Sequence, residues 1–305
     1  MNTLRPFLAI LFLCSSTALF SQENNAQMLK QKTEKKLQEI FQSSPAITGL
    51  VAVDLTSGEK ISWNPDVQFP QASSIKIPIL IEVFKQASEG KYSLSDRLPV
   101  NSTNLVGGTG ILKNLDDPAP LSIKNLGILM IALSDNSATN SLIDLVGIPK
   151  VNKTLQSLGM KQTLLQREMM NSTASARGEE NLATPAEAAK ILQLLYKGEF
   201  INPNVSKEIV DILKMTDRED SRLAAGIAEN VDIAFKPGFI NGVSVEWAIV
   251  NLQQRPYAVA IMESHKVSGE AEEVMEDVSK ILYNYFWRMG NASEYGTYVD
   301  PKPKK

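Results

Sequence analysis

Phe69-Pro70-Gln71-Ala72-Ser73-Ser74-Ile75-Lys76-Ile77-Pro78-Ile79-Leu80 sets a hydroxyl and an amine three residues apart at the start of an apolar segment. Residues three apart share a helix face, so the spacing predicts a helix over Ser73–Ser88 with Ser73 and Lys76 side by side. A serine so placed has a base beside it, and a helix N-terminus favours negative charge developing nearby. Ser-x-x-Lys alone is a weak signal. Its meaning depends on what other bases the chain supplies.

Histidine is nearly absent. His265 is the only one in 305 residues, and it follows the apolar run Tyr257–Met262, where it reads as a strand-end residue rather than a triad base. The one cysteine, Cys14, lies in the N-terminal segment. One histidine and no cysteine in the mature chain leave no ordinary zinc site, so no metal and no other cofactor is expected. A nucleophilic serine here needs a lysine or a carboxylate as its base.

Two further patterns follow in order. Ser134-Asp135-Asn136 comes after the apolar segment Ile123–Leu133 and before Ala138–Val146, and Lys236-Pro237-Gly238 ends a short strand Ile233–Phe235. Either alone suits an ordinary turn. Gly107-Gly108-Thr109-Gly110 lacks the Lys-Ser/Thr of a phosphate cradle and reads as a tight turn.

Around these motifs, residues 26–43 form an amphipathic helix through Met28, Leu29, Leu37, Ile40 and Phe41. Ile47–Leu55 and Lys60–Trp63, split by Thr56-Ser57-Gly58-Glu59, predict a hairpin. Thr184-Pro185-Ala186-Glu187 starts a helix with Thr as N-cap, Pro at N1 and Glu at N3. Strands return at Ile233–Lys236, Val245–Asn251 and Tyr257–Met262, before a final helix Glu270–Met289. Strands at both ends with helices between predict an α/β (α+β) fold. The two termini build one sheet, and the helices between them form an insertion.

A net charge of −3 and 21% charged residues argue against a nucleic-acid binder, and Lys302, Lys304 and Lys305 read as a solvated end. Arg5, the apolar run Phe7–Leu13 and the small, polar Ser15-Ser16-Thr17-Ala18 read as an export signal over 1–21, cut after Ser21. A lipid anchor at Cys14 is the alternative. The run is too short for a bilayer helix, so we expect an exported, periplasmic monomer with no stable membrane span. Its catalytic domain would cover 22–290, with 291–305 as a tail.

Taken together, Ser73-x-x-Lys76, Ser134-Asp135-Asn136 and Lys236-x-Gly238 resemble the signature set of class A β-lactamases and related penicillin-recognising serine enzymes. The resemblance runs from the N-terminal helix to the C-terminal one. It implies a mixed α/β lobe with an antiparallel sheet formed by both termini (about 22–68 and 216–290) beside an all-helical lobe (about 69–215), with the active site in the cleft between them. It implies that Ser73 attacks the β-lactam carbonyl and that Lys76, crowded by Lys236 and desolvated, is a base. Ser134 would relay a proton to the departing nitrogen, Asn136 would bind the substrate amide, and Lys236 would attract the substrate carboxylate. The oxyanion hole would use the N–H groups of Ser73 and Phe239, the residue after Gly238. Asp135 would cap or cross-link its own loop.

Three departures stand out. The family's deacylating Glu falls on Glu168 when counted back from Thr184-Pro185. Counted from Arg167 or from Asn171, Glu168 is one residue too close, and two residues after Arg167 Met169 takes its place. Glu168 and Asn171 at i, i+3 would share a helical face and hold one water. Pro237 offers neither hydroxyl nor N–H to a substrate carboxylate, and suits only an edge strand. Gly242-Val243-Ser244-Val245-Glu246-Trp247 holds no arginine, and Glu246 would oppose an anionic substrate. The expected activity is β-lactam opening through an acyl-enzyme. The alternatives are a D-alanyl peptidase or another serine hydrolase on an ester or amide, or a penicillin-binding protein that stalls after acylation.

Overall fold

The computed structural model describes residues 6–267, 274–293 and 295–298, with side chains from Asn25 onward. Cys14 and the rest of the candidate export segment lie outside the described side chains. Residues 270–273, where the final helix was expected to start, and 299–305 lie outside the described residues. No helix among the described residues is long and apolar enough to cross a membrane.

The chain opens with α1 (Pro6–Ser43), then the hairpin β1 (Ile47–Asp54) and β2 (Lys60–Trp63), paired from Leu50↔Trp63 to Val53↔Lys60. After a short strand β3 (Phe69–Pro70), a 3-10 turn Ala72–Ile75 leads into α2 (Lys76–Ser88). The expected helix start at Ser73 is therefore a tighter turn, and Lys76 opens the α-helix proper. A small ladder of β4 (Arg97–Leu98) and β5 (Leu121–Ser122) precedes α3 (Ile123–Ala132), α4 (Asn136–Val146) and α5 (Ile148–Ser157). A loop carrying the short α6 (Ser172–Ala176) returns through β6 (Leu182–Ala183), which pairs with β3. Then come α7 (Pro185–Tyr196), capped by Thr184 as its sequence predicts, α8 (Pro203–Leu213) and the single turn α9 (Arg222–Ala225). The chain closes with β7 (Ile233–Ile240), β8 (Val243–Val250), β9 (Tyr257–Ser264) and α10 (Val274–Asn291).

The main sheet is antiparallel in the order β2-β1-β9-β8-β7, so strands from both ends of the chain meet at β1 and β9. Successive side chains turn to opposite faces. Leu50, Ala52, Val259 and Ile261 pack with Leu37 and Phe41 of α1 and Leu282 and Phe286 of α10. Val51, Val53, Trp247 and Ala260 pack with Ala188 and Leu192 of α7 and with the helical lobe. Both faces are covered, so the strands read as nearly unbroken apolar runs in the sequence.

One boundary differs from the expectation. The Lys-Pro-Gly motif does not end its strand: β7 continues to Ile240, with Pro237 opposite Glu246 and Gly238 opposite Val245. This is possible because β7 is the edge strand, where a missing donor need not break a ladder.

Candidate active site

Ser73 lies in the 3-10 turn, and Lys76 begins α2 one helical turn on, with its side chain 0% exposed. Lys76 Nζ is 3.1 Å from Ser73 Oγ, 3.1 Å from Ser134 Oγ, 2.7 Å from Ser134 O and 2.9 Å from Asn136 Oδ1. The carbonyl and the amide oxygen can only accept, and together they use the two hydrogens of a neutral amine. In that form the one remaining lone pair can accept from one of the two hydroxyls at a time, whereas an ammonium would donate there. Burial first, and then the Lys236 charge, drive the Lys76 pKa well below the usual ammonium range, against a smaller opposing pull from Asp135. These contacts and the lowered pKa are what a lysine serving as base to a serine would require.

Ser134 holds its place with a left-handed backbone, φ +51°. Its carbonyl accepts from Lys76 Nζ and from Thr109 Oγ1 at 2.7 Å. Ala72 (φ +43°) and Met170 (φ +63°) are similarly strained and line the same cavity, a clustering expected at functional sites. Asp135 is fully buried and does not face the cavity. One oxygen caps α4 at Ala138 N, 2.9 Å, and the other accepts from Ile111 N and Leu112 N at 2.6 and 2.9 Å. Such charge-assisted bonds pin the 107–112 loop to the helix start. Gly110 (φ +106°) passes so close that a Cβ there would stand 2.3 Å from Asp135 Cγ. The glycine turn expected at 107–110 thus becomes one wall of the cavity, and Asn136 Nδ2 donates to Gly107 O at 3.1 Å.

On the opposite wall, Ser74 Oγ donates to Lys236 O at 2.9 Å and ties the serine turn to β7. A Cβ on Gly238 would meet Gln71 O at 2.7 Å and Ser73 N at 2.8 Å. Only glycine lets the strand lie this close to the Ser73 amide. Backbone groups alternate along a strand, so Pro237 and Phe239 turn theirs to the same edge. Lys236 is 1% exposed, and burial lowers its pKa to about 8, with Asp220 and then Glu246 holding it up.

The cavity, about 590 Å³, is lined by Ser73, Ser134, Asn136, Lys236, Pro237, Gly238 and Phe239 together with Met169, Met170 and Asn171. Glu168 is not among these residues. The pair expected on one helical face is not helical: α6 begins only at Ser172, and Asn171 caps it by accepting from Ala174 N at 3.0 Å. The turn of this loop is set elsewhere, because Asn140 Oδ1 accepts from Met169 N at 2.8 Å and its Nδ2 donates to Met169 O at 3.2 Å. That clamp faces Met169, not Glu168, into the cavity. Asn140 stands four residues after Asn136 on α4, a same-face spacing that could have marked it. Asp220, the one carboxylate among the described lining residues, gives no such signal.

Glu246 also corrects an expectation. It is 0% exposed and turned away from the cavity: Ser221 Oγ donates to it, as do Arg222 N at 3.1 Å and Leu223 N at 3.3 Å, at the start of α9. It is therefore a buried helix-cap carboxyl and does not confront substrate. Burial raises its pKa to about 7, against those hydrogen bonds and Lys236. A carboxyl raised in the folded state stabilises it fully below the unfolded value and loses that contribution as pH climbs through the folded one. Between pH 4 and 8, with the folded value near 7, this group should cost on the order of 3 kcal/mol of stability. Urea unfolding of Glu246→Gln at both pH values should lack that loss.

His265 is exposed at the end of β9, with Nδ1 3.1 Å from Ser264 Oγ, and does not line the cavity. Among the described residues no cluster of three or more His, Cys, Asp or Glu could hold a metal ion.

Comparison with known proteins follows the same lines. Beta-lactamase CTX-M-97 of Escherichia coli is 26% identical over 254 residues, covering 81% of this chain and 84% of that protein. An imipenem-hydrolyzing beta-lactamase of Enterobacter cloacae is 25% identical over 291 residues, covering 92% and 97%. The solved structure of PBP-A superposes with a TM-score of 0.76 at 26% identity, covering 84% of this chain and 96% of that one. A PBP-A mutant, solved as an acyl-enzyme complex with penicillin G, gives the same score and identity. The family model of the Beta-lactamase enzyme family matches residues 32–286, from α1 to α10, and the chain belongs to that family.

Proposed function

We propose that the protein is a serine hydrolase of the β-lactamase type that opens the β-lactam amide through an acyl-enzyme on Ser73, with release of the acyl group as its slow step. The observation that carries this is Lys76, buried, its pKa driven down by burial and then by Lys236, and in contact with both Ser73 Oγ and Ser134 Oγ. Ser73 Oγ attacks the carbonyl and gives its proton to Lys76 Nζ. The C–N bond then breaks, Ser134 passes its hydroxyl proton to the ring nitrogen, and Lys76 returns a proton to Ser134. The amides of Ser73 and Phe239 stabilise the oxyanion, and Asn136 holds the substrate amide with the hydrogen not given to Gly107.

Deacylation needs a base for water. Glu168, the expected base, does not line the cavity, and Met169 and Asn171 occupy that wall. The same reading includes a signal over 1–21, a periplasmic location, a monomeric state, and small-molecule β-lactams or related amides and esters as partners. Stopped-flow mixing with a chromogenic cephalosporin should give a burst of about one product per enzyme followed by a slow steady phase. Linear turnover from the first instant would contradict slow release, and no product at all would contradict acylation.

A further inference from the structure

We infer that Asp220 sets the charge selectivity of this site, so that the cavity favours amides and esters whose leaving half is neutral or cationic over those carrying a carboxylate there. The inference rests on the acylation reading above. Asp220 ends the 3-10 turn Arg218–Asp220, is exposed, and lines the cavity with Thr216, Lys236 and Pro237. Of these, Lys236 and Pro237 stand where the resemblance puts the carboxylate of a β-lactam, and Asp220 and Thr216 share that cavity with them. Asp220 is also the foremost charge sustaining the Lys236 ammonium, ahead of Glu246. Two opposite charges facing one volume offset each other, so an entering anion meets a weakened Lys236 field and direct repulsion from Asp220.

The other polar groups do not restore the attraction. Pro237 has no hydroxyl and no N–H to offer. Arg167 lines the cavity but is paired with Glu180 at 2.8 Å. Arg222 lies over the Phe239 ring, 5.9 Å from its centre, and is not among the lining residues. None of these groups adds to the pull of Lys236, which Asp220 opposes across the same cavity. A neutral or cationic leaving half escapes the repulsion, and a cationic one gains an attraction.

The test compares acylation of Ser73 by benzylpenicillin and by its methyl ester, followed as second-order rate constants by quenched-flow intact mass. Asp220→Asn should raise the constant for benzylpenicillin about tenfold, and Asp220→Lys should raise it further. Both variants should leave the methyl ester within about twofold, since it has no charge to repel. Asp220 is exposed, so neither change disturbs the core. An unchanged or lower constant for benzylpenicillin in Asp220→Asn would overturn the inference, as would equal gains for acid and ester. If neither compound adds to Ser73 in any of the three proteins, the acylation reading fails, and this inference with it.

Discussion

Lys76→Met slows acylation of Ser73 by a β-lactam by about 10²–10⁴-fold, the usual contribution of a positioned base. The substitution removes a buried amine and leaves a similar volume of apolar chain, so the fold should survive. Ser134 O keeps its bond from Thr109 Oγ1, but Asn136 Oδ1 loses the Lys76 donor, which costs about 1–3 kcal/mol of stability if left unsatisfied. The informative readout is the pH profile. In the wild type the acylation rate should rise with pH along a limb set by Lys76, because burial and Lys236 hold its pKa low. Below that limb the amine is protonated and cannot take the Ser73 proton. Lys76→Met should lack the limb altogether. A variant that keeps it would place the base elsewhere.

Met169→Glu carries the second large effect, on release rather than attack. The Asn140 clamp turns Met169 to the cavity wall, where the side chain is 7% exposed. A carboxylate there would stand where the resemblance, counted from Arg167, expects the deacylating base. Acyl release should accelerate by about 10²-fold or more. Burial would raise the pKa of the new carboxyl while the nearby lysines would lower it, so the gain should be greatest above neutral pH. Met169→Gln, with the same shape and no base, should release no faster than wild type. Glu168→Ala should change release by less than about twofold, because Glu168 is not part of the cavity wall. A large loss in Glu168→Ala would instead make Glu168 the base.

These two positions show what a single sequence can and cannot convey. Ser73 and Lys76 were legible because one helical turn brings them together, and turn geometry is local. Ser134, Asn136, Lys236 and Gly238 stand out as short motifs at element ends, and the hairpin and α7 announce themselves through turn and cap residues. The loop from 161 to 181 is different. Asn140 clamps Met169, Asn181 Oδ1 accepts from Gln166 N and Arg167 N, and Glu187 accepts from Lys161 N and Thr163 N. These partners lie 14 to 29 residues away, so no local spacing could decide whether 168 or 169 faces inward. The misreading of Glu246 has a similar origin. Its place near the motif was visible, but the face it takes depends on the register of β8 against β7 and β9.

Time-resolved intact mass of the protein with benzylpenicillin tests the central claim most directly. Wild type should gain the mass of one intact penicillin within the burst, lose it slowly, and carry it on the peptide containing Ser73, while Ser73→Ala should gain none. A wild-type protein that never gains that mass, or an adduct that persists in Ser73→Ala, would contradict the account.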